Sequence, residues 1–141
     1  MEVEKDFIKR EIQRLTLLLG ALIEKISGLS SKNTKSGIEE VNKALKNEFD
    51  LTLLKITKMN NSNLLKHITE LHESHIEKLA ELMHEIVLKI ELSDSNYNKR
   101  EIALKGILLI NFLNEKSKTF SLKRRNIKNT LQHYTDLTAR F

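Results

Sequence analysis

The chain has 141 residues, 40% apolar and 30% charged, with a net charge of +5, four glycines and neither proline nor cysteine. That length and balance fit one domain, residues 1–141, with a core of its own, and exclude a disordered tail. The missing cysteines exclude disulfides and a thiol nucleophile, so the cytoplasm is the expected compartment. The charge is uneven: residues 1–92 carry 14 Lys and Arg against 15 Asp and Glu, and residues 93–141 carry 10 against 4.

Ile8, Ile12, Leu15, Leu19, Leu22 and Ile26 repeat at four- and three-residue spacings, which predicts a first helix over about Val3 to Ser27 with a heptad-like seam. Its longest uncharged run, Leu15 to Ile23, is far short of the ~20 apolar residues that span a bilayer, so no membrane segment is expected. Glu2, Glu4 and Asp6 stand where a signal peptide would carry basic residues. Leu15, Leu18, Leu19, Leu22 and Ile23 lie on more than one face. If one chain cannot cover them all, a symmetric dimer through this helix hides the rest, which makes these five the candidate protein contacts.

Gly28 predicts the helix stop, and Ser30 to Ser36 a loop. Ser36 and Glu39 form a capping-box pattern for a second helix to about Glu48, with Ile38, Val41, Leu45 and Phe49 inward. Asp50 is expected to cap a short helix through Leu51, Leu54 and Ile56, ended by Asn60 to Asn63. Leu64, Leu65, Ile68 and Leu71 predict another short helix. A phase slip near Glu73 and a second capping-box pattern, Ser74 with Glu77, introduce a helix from His75 to about Leu92. Its inward face is Ile76, Leu79, Leu82, Met83, Ile86, Val87 and Ile90.

A turn over Ser93 to Asn96 leads to a helix from about Tyr97 to Glu115, with Lys105 the one charge between Ile102 and Asn114. So apolar a helix is expected to be central, and Gly106 within it to admit a close neighbour. Ser121 predicts the N-cap of a last helix carrying Ile127, Leu131, Tyr134 and Leu137 inward. The fold class expected is all-α, an antiparallel helical bundle of five to seven helices.

Two groups of residues carry candidate chemistry. His67, His72, His75 and His84 stand among Glu70, Glu73, Glu77, Glu81 and Glu85, but a di-iron bundle needs two Glu-x-x-His motifs and only Glu81 to His84 is present. The expected reading is a polar helix junction with no metal and no cofactor. Lys123, Arg124, Arg125 and Lys128 occupy the first turns of the last helix, where its dipole disfavours cations, and Lys116 and Lys118 lie just upstream. These four are the candidate anion contacts. Against nucleic acid stands the lack of interleaved aromatic residues to stack on bases, so the solvated face is the expected reading.

Phe7-Ile8-Lys9-Arg10 with Ile12, Gln13 and Leu15, then Ile38 to Leu45, then Phe120-Ser121-Leu122 with Arg124-Arg125, together resemble a small bacterial family of unknown function with a tetratricopeptide-repeat-like fold. The resemblance implies helix pairs of that kind, with Ala103, Ile107 and Ile110 in the second helix of a unit. It implies an adaptor-like role and no catalytic residues. The function expected is therefore a non-catalytic protein-protein interaction domain, contacting a partner or itself. The alternative is an anion- or nucleic-acid-binding domain using the basic last third.

Overall fold

The computed structural model describes residues 2–91, 96–117 and 119–139. Within them the chain forms seven α-helices and no strand: α1 (Glu2–Ser27), α2 (Thr34–Phe49), α3 (Leu53–Lys58), α4 (Asn61–Ile68), α5 (Glu73–Lys89), α6 (Lys99–Lys116) and α7 (Leu122–Ala139). A 3-10 turn, Ser31–Asn33, precedes α2. The turn expected over 93–95, Lys118 and the inward placing of Leu137 lie outside the described residues.

The apolar stripes close one core. Leu19, Leu22, Ile23 and Ile26 of α1, Ile38, Val41 and Leu45 of α2, the whole expected face of α5, and Ile102, Ala103, Leu109, Ile110 and Leu113 of α6 are all buried. Burial of that area is the main force holding the bundle together.

Polar contacts between helices fix their directions. Arg14 meets Glu48 and Lys25 meets Glu40, so α1 and α2 are antiparallel. The His75 ring N–H donates to the Ile12 carbonyl at 2.9 Å, and Lys89 donates to the Leu29 carbonyl at 3.0 Å, so α1 and α5 run the same way. Lys99 donates to the Ile90 carbonyl, while Gly106 lies against Met83, which makes α6 antiparallel to α5. Arg124 reaches Asn114 at one end of the α6/α7 pair and Lys99 lies over the Tyr134 ring at the other. The result is a row of three parallel helices, α1, α5 and α7, with α2 and α6 running opposite and α3 and α4 packed on α6.

Several starts and stops differ from the sequence reading. Ser36 does not begin α2, which starts at Thr34 on a 3-10 turn with no side-chain cap, and the Ser36 hydroxyl instead donates to the Asn33 carbonyl. Asp50 closes α2 in the left-handed region, φ 53°, and Thr52 is what caps α3 by accepting from the Lys55 N–H. Leu54 is exposed, and Leu51 is buried ahead of α3 rather than within it. Asn60 opens α4 by accepting from the Asn63 N–H, so Asn61 to Asn63 form its first turn. The cap of α5 is His72, whose Nδ1 accepts from the Ser74 N–H, and not Ser74. At α3 and α5 a side chain two residues away offered the same hydrogen bond. The Ser121 cap of α7 stands as expected, accepting from the Arg124 N–H.

Candidate functional site

The amino end of α5 lies level with Ile12 and Thr16, whereas α1 begins ten residues earlier. At 1.5 Å per residue, about 15 Å of α1 stands clear of α5. Residues 4–10 are all exposed, including Phe7 at 64% and Ile8 at 57%. The seam that starts at Ile8 is thus covered only from Ile12 onward. Of the five candidate contacts, Leu19, Leu22 and Ile23 are buried within the chain and Leu15 and Leu18 are half-buried. Their cover comes from α2 and α5 within the chain, because a row of parallel helices lets α5 lie along the seam. Among the described residues, the large apolar side chains left exposed on α1 are Phe7, Ile8 and Leu17.

The basic cluster divides in two. Lys123 pairs with Glu81 at 3.0 Å, and Arg124 pairs with Glu77 at 3.2 Å while donating to Asn114 Oδ1 and the Thr119 carbonyl. These two cations join α7 to α5 and close the α6–α7 connection, which offsets their unfavourable place at a helix start. Arg125 and Lys128 face the other way. With Ser121, Asn129 and Gln132 they form one stripe along α7, at spacings of three and four residues, lining a cleft of about 470 Å³. The opposite wall is Asn114, Ser117 and Thr119, and the rim is Phe120, 71% exposed. No carboxylate is among the described residues that line it. The sequence reading missed Phe120 because an aromatic residue five positions before Arg125 is not interleaved with the cluster; the bend between α6 and α7 brings it alongside.

Three of the four histidines of the junction have a structural task. His67 donates to the Phe49 carbonyl at 3.0 Å, His72 caps α5, and buried His75 ties α5 to α1 with its ring in a T-shaped contact with Phe49. His84 Nδ1 lies 3.6 Å from Glu85, beside a second groove between α5 and α7. Among the described residues no three His, Asp or Glu side chains converge as a metal site would require. Lys105, the one charge in the middle of α6, is buried and donates at 2.8 Å to both the Met59 carbonyl and Asn61 Oδ1, where it satisfies the carboxyl end of α3.

Among the described residues, three groups titrate away from their ordinary values. The Arg14 guanidinium, hydrogen-bonded to Glu48 and Glu11, is held more firmly protonated than usual, and Arg14 in turn pushes the Glu48 carboxyl down. Burial pulls Lys99 down, with Glu91 opposing.

Fold and surface together define an all-α helical bundle with an overhanging first helix and, at the same end, a basic cleft with no carboxylate among the described residues that line it. No known family, curated protein or solved structure matches the chain. No helix among the described residues is long and apolar enough to cross a membrane.

Proposed function

We propose that this protein is a non-catalytic helical interaction module, adaptor- or scaffold-like, that acts in the cytoplasm and contacts its partner through the free amino-terminal turns of α1. The observation that carries the reading is Phe7 and Ile8, two large apolar side chains exposed on a helix whose seam is otherwise covered. Such a seam is completed by another helix, and a second copy supplies one of the same spacing. Charge favours self-contact too: residues 4–11 hold Glu4, Asp6 and Glu11 against Lys5, Lys9 and Arg10, a balance that matches a copy of itself. The tetratricopeptide-like and bacterial-family readings belong to this proposal. They draw support from α1, α5 and α7 standing in a parallel row with α2 and α6 reversed, the layering that stacked helix pairs adopt.

Light scattering at tens of micromolar tests it. The expected result is a dimer that a Phe7→Glu, Ile8→Glu variant converts to a monomer with unchanged circular dichroism. A wild-type chain that stays monomeric removes the self-contact.

A further inference from the structure

We propose that the cleft between the end of α6 and the flank of α7 binds single-stranded nucleic acid, with a base stacked on Phe120 and the phosphodiester backbone held by Arg125 and Lys128. This goes beyond the helix-contact reading and uses a different surface. Three features of the cleft point the same way.

Its cations are available. Lys123 and Arg124 are engaged by Glu81 and Glu77, but no described ion pair holds Arg125 or Lys128, and no described carboxylate lines the space they face. A concave wall with two cations and no anion concentrates positive potential where a phosphate would sit. Both residues lie on the flank of the helix, three positions apart, so they follow a strand laid along α7.

Its aromatic ring is unused. Phe120 is 71% exposed, although burying a phenylalanine is worth ~1.5–3 kcal/mol, and it stands at the mouth of the same cleft. A flat ring next to two cations is the arrangement by which proteins hold unpaired bases, since every base offers a face to stack on.

Its remaining polar groups suit base edges. Asn114, Asn129 and Gln132 present carboxamides, each able to donate and accept. Asn114 Oδ1 is taken by Arg124, which leaves its amide hydrogens for the cleft. At about 470 Å³ the space falls in the range that takes a small organic ligand, and a nucleotide unit is of that kind. A duplex hides its base faces, so stacking on Phe120 selects unpaired strands.

Fluorescence anisotropy with labelled 12-nucleotide RNA and DNA, single-stranded and duplex, decides the matter on the full chain. Expected are binding of single strands in preference to duplex and a steep fall in affinity with salt, the slope dropping by about one for each of Arg125→Ala and Lys128→Ala. Phe120→Ala should weaken binding about tenfold or more, and Phe120→Tyr should restore it, because only the stacking face matters. These side chains lie outside the core, and a thermal melt equal to wild type confirms that each variant folds. A preference for the RNA arm assigns the site to RNA, and equal affinity assigns it to single strands of either kind. Four results would overturn the proposal: no binding at millimolar protein, duplex bound as well as single strands, inorganic polyphosphate competing as well as the oligonucleotide, or Phe120→Ala behaving as wild type. The Phe7→Glu, Ile8→Glu variant keeps oligonucleotide binding, so a failed self-contact and a failed cleft give different patterns.

Discussion

At the scale of single residues, two glycines inside helices show how position decides the sign of one substitution. A Cβ on Gly20 meets nothing within 4 Å, whereas one on Gly106 comes to 2.7 Å from Leu131 Cδ1, and Leu131 is itself fully buried. Replacing a helical glycine by alanine gains ~1 kcal/mol of propensity, while overpacking a tight core costs about 1–3 kcal/mol. Gly20→Ala should therefore stabilise the chain by up to ~1 kcal/mol and Gly106→Ala should destabilise it, both read from urea midpoints. Adding Leu131→Val to Gly106→Ala should recover part of the loss, a coupling that two independent sites would not show. The sequence made Gly106 legible as a close approach because it interrupts an apolar surface, but nothing in it named Leu131.

At the scale of elements, helix ends and charged contacts were the least legible parts. The stripes Ile38-Val41-Leu45-Phe49 and Ile76 to Ile90 fell on buried faces, since periodicity is a property of the helix alone. Caps depend on which of several nearby oxygens or ring nitrogens wins, so Thr52 and His72 took the places expected for Asp50 and Ser74. The contact of α1 with α2 carries a pH dependence. Arg14 lowers the Glu48 carboxyl, so the folded state binds fewer protons than the unfolded state; the contribution is present above the ordinary carboxylate range and is lost as the pH falls through it. Glu48→Gln should flatten the acid limb of stability against pH slightly and lower neutral-pH stability by the same small amount, because the pair is largely exposed. An acid limb as steep in the variant as in the wild type would count against this role. Lys99 leans the same way in a higher pH range: burial favours its neutral form, so the folded state again binds fewer protons and stability rises as the pH approaches the ordinary lysine range.

For the whole molecule, the parallel row of α1, α5 and α7 gives a gradient of stability along α1. Its carboxyl-terminal half lies between α2 and α5, and its first turns touch neither. Hydrogen exchange followed by NMR should find the amides of residues 4–10 opening by local fraying, while those in the middle of α5 and α6 exchange only with global unfolding. Equal protection along the whole of α1 in the monomer would mean that its amino-terminal turns are covered from within the chain.

The chain's own spacing determined that it folds into helices, roughly where each lies and which side of each turns inward, because those follow from residues three and four apart. The tertiary structure decided the rest. Whether Leu19, Leu22 and Ile23 needed a second copy depended on α5 lying along them, 60 residues away in sequence. Which cations of the last helix were spent on internal pairs depended on Glu77 and Glu81 of α5. And Phe120 joined Arg125 and Lys128 only through the bend that sets α7 against α6. Contacts between distant segments are settled by packing of the whole, and no local pattern of residues records them.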